Sequence, residues 1–249
     1  CALPIWLLEE AENYLACGHV SKSVAAYEKI LNMSPSHVRV LTQLGNIARE
    51  KGNVERALKL HLIATEIAPE NLNVLYGLAE DYCIQATPKN EMEVLEKILE
   101  FNRRSPRALC RMREVYLKLE DWPSAVEVQR KLVALVKGRE KKEKEKRMLG
   151  QYIYKSGVRY FNNDSFELAI TEIKRSLREN AQCLSSHILL GDAYLKTGDR
   201  KGALKSWKKG YAYTKSIACM MRMEEVYREL GQPGEMIKEY KEAIRNSKN

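Results

Sequence analysis

No stretch of the sequence holds eighteen or more consecutive apolar residues. A helix needs about twenty to cross the hydrocarbon core of a bilayer, so nothing within these 249 residues reads as a membrane span. The opening Cys1-Ala2-Leu3-Pro4-Ile5-Trp6 is too short for a signal peptide and does not start with Met. The chain is therefore expected to be a piece of a longer protein, with any membrane anchor lost upstream. Cysteine occurs six times (Cys1, Cys17, Cys83, Cys110, Cys183, Cys219) and never as a CxxC pair. Structural zinc sites need thiols at ligand spacing. These cysteines read instead as small hydrophobes in a reducing compartment, with neither metal nor cofactor expected. His19, His37, His61 and His187 share no HExxH spacing, and GxGxxG, GxxxxGK[ST] and GxSxG are all missing. The glutamates follow the periodicity of a solvent face, so the chain is read as no enzyme.

What the sequence does contain is a period. In Val38–Asn71, Leu41, Leu44 and Ala48 recur at the spacing of one helix face. Ala57, Leu58, His61 and Ala64 do the same after the break at Lys51-Gly52-Asn53. Gly52 suits the left-handed residue that ends a helix, and Pro69 stops the second one. Gly45, Ala57 and Ala64 fall where two antiparallel helices must approach closely. This hairpin of 34 residues returns when the window is moved by its own length, and seven units start near residues 4, 38, 72, 106, 150, 184 and 217. Fourteen helices and no sheet are predicted.

Period, small residues and aromatics together resemble the tetratricopeptide repeat across nearly the whole chain. The resemblance implies an all-α, right-handed superhelical solenoid of about seven helix-turn-helix repeats. Repeats one to four span 4–139, a charged helical extension 140–149, and repeats five to seven 150–249, forming one continuous solenoid. Three places depart from the pattern. Gln85–Asn90 replaces the glycine turn of hairpin three, whose small second-helix positions hold Glu91 and Ile98. Arg113 and Glu224 stand where the first helix of hairpins four and seven would carry Gly or Ala, so these two are expected to be the most distorted.

The net charge of +9 is uneven. Residues 1–100 carry 9 Lys/Arg against 14 Asp/Glu, residues 101–150 carry 15 against 7, and residues 151–249 carry 18 against 12. An acidic first segment and a basic remainder suggest two different surfaces. In the stretch Gly138–Gly150, Glu140→Lys144 and Glu143→Arg147 are spaced as favourable i,i+4 pairs. Glutamates interleaved with the lysines would also face the phosphates, so nucleic acid is disfavoured as a partner.

A stack of hairpins offers a groove lined by the first helix of each. By the family pattern it is lined here by Arg39, Thr42, Asn46 and Arg49, then Asn73, Tyr76 and Glu80, then Arg107, Cys110, Arg111 and Glu114, then Tyr154, Val158 and Phe161. Cations, amides and aromatics suit an extended peptide or partner helix. The carboxylate clamp of chaperone-binding relatives would need Lys, Asn, Asn, Lys and Arg where this chain has Thr42, Asn46, Gly77, Arg107 and Arg111. Two of the five donors are missing, each a loss of about 1.5–3 kcal/mol, so chaperone tails are disfavoured.

Leu41–His61 and Ala108–Gly138 are similar to repeats of the bacterial lipopolysaccharide assembly protein B family. That resemblance implies an adaptor at the cytoplasmic face of the inner membrane, bringing the deacetylase that commits carbon to lipid A towards a membrane-anchored protease. The family's membrane helix and zinc module have no counterpart in this sequence. A generic peptide-binding scaffold and a basic nucleic-acid binder are the alternatives. The apolar arc of Met236, Ile237, Tyr240, Ala243 and Ile244 further suggests self-association through the last repeat.

Overall fold

The computed structural model describes residues 5–247, and among them every regular element is an α-helix. The chain forms two compact units, Cys1–Val115 and Tyr116–Asn249. The first holds α1 (Ile5–Ala16), α2 (Val20–Met33), α3 (Val38–Glu50), α4 (Val54–Ile67), α5 (Leu72–Ile84), α6 (Pro88–Phe101) and most of α7 (Pro106–Lys118). The second holds α8 (Trp122–Leu135), α9 (Arg139–Asn162), α10 (Phe166–Glu179), α11 (Leu184–Lys196), α12 (Arg200–Thr214), α13 (Ile217–Glu229) and α14 (Pro233–Ser247). The described residues thus contain the expected fourteen helices and no strand. Cys1 and Pro4 lie outside them.

Each hairpin turns through one residue in the left-handed region: Gly18, Gly52, Ala86, Glu120, Asp164, Gly198 and Gly231. Glycine adopts this conformation freely, whereas Ala, Glu and Asp adopt it at a cost. Hairpin three therefore keeps the same turn without its glycine. Asn53, Asn71, Asp121 and Asp199 each cap the helix that follows by accepting a hydrogen bond from a first-turn N–H.

The packing repeats with the turns. The 24th residue of each of the first six units is Tyr27, His61, Leu95, Gln129, Ile173 or Trp207, and each is at most 1% exposed. In hairpins two, five and six a glycine stands opposite. A Cβ on Gly45 would meet the His61 ring at 2.7 Å, one on Gly157 would meet Ile173 at 2.8 Å, and one on Gly191 would meet Trp207 at 2.2 Å. In hairpin seven, Glu224 takes the glycine place. It accepts a hydrogen bond from the Tyr240 hydroxyl (2.8 Å), and that ring stays 40% exposed.

Neighbouring hairpins share their cores, as expected of stacked repeats. Leu7, Tyr27 and Ile30 pack with Val40, Leu44 and Ile47 of α3, while Leu41 and Ala64 pack with Val74 of α5. In the second unit, α12 lays Trp207 and Ala203 against Cys219, Met223 and Val226 of α13. The charged extension forms one 24-residue helix with the start of hairpin five. Gln129 of α8 grips it, donating Nε2 to the Glu145 carboxylate (2.7 Å) and backbone carbonyl (3.0 Å).

Candidate functional site

Helix α3 presents Arg39, Thr42, Gln43, Asn46 and Arg49 on a single face, because these positions recur at helical spacing. With Asn73, Tyr76 and Glu80 of α5 and Arg107 of α7 they line a cleft of about 640 Å³ in the first unit. Eight of the residues expected in the groove, Arg39, Thr42, Asn46, Arg49, Asn73, Tyr76, Glu80 and Arg107, are thus brought together.

The floor is rigid. Arg49 donates Nη1 to the Asp81 carboxylate (2.9 Å) and the Gly77 carbonyl (3.1 Å), and Nη2 to Asn46 Oδ1 (2.7 Å). Asp81 is fully buried, and its other oxygen pairs with His61 Nδ1 at 2.5 Å. His61 is itself buried between Gly45 and Gly77, which leave room for the ring. A carboxylate only accepts, so Nδ1 carries the proton that His61 donates.

Asn46 Oδ1 is occupied by Arg49, and Asn71 Oδ1 accepts from the Asn73 N–H (3.0 Å). Each amide thus keeps its NH₂ group outside these two bonds. At one end the Arg107 guanidinium lies 4.1 Å from the centre of the Tyr76 ring and 3.8 Å from Glu80. The Tyr76 hydroxyl is held by Ser105 Oγ at 2.6 Å, next to the start of α7. Arg39 reaches back to Glu12 (2.7 Å) yet stays 61% exposed. The cleft carries three arginines, Arg39, Arg49 and Arg107, against one carboxylate, Glu80.

Arg111 lines the adjoining recess of about 240 Å³ with Tyr76, Glu80 and Arg107. Its Nε is committed to Glu91 (2.8 Å), which is only 3% exposed. The unusual Glu91 in a small-residue position is explained by this partner. Tyr154 and Phe161 belong to the second unit. Phe161 packs edge-to-face on Phe166 (5.4 Å) against the Ala169, Ile173 and Leu190 core, and Tyr154 is half-buried, its phenol pKa raised by burial. Sequence reasoning missed Gln43, Asn71 and above all Asp81. In the last hairpin Ile237 is 53% exposed while Met236 is buried; the Ala243 and Ile244 side chains lie outside the described residues.

Residues 8–71 match the tetratricopeptide repeat family model, and the paired-helix fold is similar to that of tetratricopeptide repeat proteins. Among proteins of known role, the chain is similar to lipopolysaccharide assembly protein B of Escherichia coli K12, at 20% identity over 229 residues. That match takes in 90% of this chain and 58% of the relative, so the chain spans little more than half of the protein it matches. Two solved structures share the fold. One is a tetratricopeptide repeat protein from Parabacteroides merdae (TM-score 0.53, 14% identity, 96% of this chain and 91% of that one). The other is the structure of Naa15/Naa10 bound to HypK-THB (TM-score 0.62, 11% identity, 89% and 33%). No described helix is long and apolar enough to cross a membrane.

Proposed function

We propose that the chain is a non-catalytic adaptor whose first unit holds an extended segment of a protein partner in the α3–α5–α7 cleft. The observation that carries this reading is the polar cleft, in which Arg49 is fixed by Asp81 and Arg39, Arg107 and the side-chain amides of Asn46, Asn71 and Asn73 supply donors. An extended peptide presents a row of carbonyls, and often a carboxylate, that such donors satisfy. Selection from a random peptide library on the full chain tests it. Peptides that bind the native chain and lose at least tenfold in affinity for Asn46→Ala support the reading; indifference to that change refutes it.

The finer reading is an adaptor in lipopolysaccharide assembly at the cytoplasmic face of the inner membrane. The similarity to lipopolysaccharide assembly protein B over 229 residues supports it. Replacing the aligned segment of the E. coli protein with this chain, and measuring lipopolysaccharide in cells lacking the native copy, tests that role. Restored levels support it, and a folded but inert chimaera assigns the adaptor to another pathway.

A further inference from the structure

The second unit contains a recess of a different kind. Between α10, α11 and α12 lies a cavity of about 440 Å³ floored by Leu177, Leu190 and Tyr194. Its wall is His187, stacked on Tyr213 with ring centres 5.7 Å apart. Lys174 of α10 and Lys205 and Lys209 of α12 stand around it. Among the described residues, no carboxylate pairs with any of these three lysines, although Lys208 on the same helix is taken by Glu239 (2.8 Å) and Glu242 (3.7 Å). Helix α12 carries five cations and no Asp or Glu of its own. Lys174 lies 5.2 Å from the centre of the Tyr194 ring, which meets part of its charge, whereas Lys205 and Lys209 stand without a carboxylate beside an apolar, aromatic floor.

His187 is 3% exposed, and its Nε2 donates to the Ala181 carbonyl at 2.8 Å. A carbonyl can only accept, so the proton sits on Nε2 and Nδ1 keeps its lone pair. Nδ1 is buried without a hydrogen-bond partner in a side chain that lines the cavity. Nδ1 itself has under 1 Å² of accessible surface, so the ring offers the cavity its face and edge, not this nitrogen.

We propose that this recess is a second docking site, for an acidic segment of a partner protein that inserts an aromatic side chain. The ring of a Trp or Tyr fills the floor between Tyr194 and Tyr213, and flanking Asp or Glu meet Lys205 and Lys209. Aromatic anchors with a polar tip are the residues that most often carry interfaces. The recess receives a side chain and does not project one, which favours a peptide over a lipid surface. Because it lies wholly within the second unit, the proposal stands independently of the α3–α5–α7 cleft.

A random peptide library displayed on phage and selected on the full chain tests the proposal, beside Lys205→Glu/Lys209→Glu and Asn46→Ala variants. Both lysines are exposed, so the double variant is expected to keep the wild-type circular dichroism spectrum. The native chain and Asn46→Ala should both enrich peptides with Trp or Tyr between acids, and the double variant should not. A synthetic peptide of that consensus should bind the double variant at least tenfold more weakly, and lose as much when its aromatic residue becomes Ala. Selection of the same peptides by the double variant overturns the site. So does failure to enrich acidic aromatic peptides. Lysine-dependent sedimentation with phosphatidylglycerol vesicles in place of peptide binding assigns it to lipid, and lysine-dependent self-association in light scattering assigns it to a second copy.

Discussion

At the scale of single residues, the first unit turns on His61 and Asp81. Asp81 is fully buried and holds both Arg49 and His61. Removing one member of such a pair leaves an uncompensated group inside, typically about 3–5 kcal/mol. Asp81→Ala should therefore lose stability of that order in urea unfolding; a loss under about 1 kcal/mol would mean that Arg49 escapes to solvent. A Cβ on Gly77 would lie 2.6 Å from His61 Nε2. Gly77→Ala is expected to cost about 1–3 kcal/mol by overpacking, and much less when His61→Ala has already removed the ring. Additive effects in that double-mutant cycle would contradict the close approach. His187 gives a pH test. Burial lowers its pKa, the Ala181 carbonyl opposes, and Lys209 adds to the lowering. The unfolded chain then takes up a proton at about pH 6.5 that the folded chain still refuses. The contribution to stability is complete above that pH and is lost as pH falls through it towards the lower folded value. His187→Gln should show a shallower fall in urea midpoint between pH 7.5 and 5.5, and an unchanged slope would count against the assignment. The polar face of α3 was legible because Arg39, Asn46 and Arg49 follow helical spacing. Asp81 was not. It looks like any helical acid until α4 and α3 bring His61 and Arg49 to it.

At the scale of helices and turns, the glycines at 18, 52, 198 and 231 announce their hairpins, whereas Ala86, Glu120 and Asp164 do the same work without the signature. Their left-handed backbone is imposed by the two helices on either side and not by local preference. This is why hairpin three looked altered in sequence and is regular in structure. Left-handed backbone costs an L-residue about 1–2 kcal/mol, of which glycine returns part through its freer unfolded chain. Ala86→Gly is thus expected to stabilise by about 0.5–1 kcal/mol, read as a higher urea midpoint; a lower midpoint would show that the Ala86 methyl contributes packing. Arg111 and Glu91 were each legible as anomalies, but not as each other's explanation. They lie twenty positions apart, and only the stacking of α7 beside α6 joins them at 2.8 Å.

At the scale of the whole molecule, the period was legible throughout because each hairpin needs the same small, large and turning residues. The division between compact units, which falls inside α7, was not. It follows from which side chains pack together, and no change of composition marks it. The net charge of +9 leaves two readings of function to be separated, partner recognition in the first unit's cleft and phosphate binding by the charged part of α9. Arg107 is the better probe of the cleft, since Arg111 is tied to Glu91 and its loss would disturb the fold. Lys142 and Lys144 are exposed on a helix where glutamates alternate with lysines, so salt screens them strongly. Arg107→Glu should weaken the peptide selected on the first-unit cleft at least tenfold, and Lys142→Glu/Lys144→Glu should change it less than twofold. Binding to duplex DNA by the native chain should be weak at 0.15 M salt. Should the lysine variant lose more peptide than Arg107→Glu, or should DNA bind tightly with an affinity falling steeply as salt rises, recognition belongs to α9 and not to the cleft.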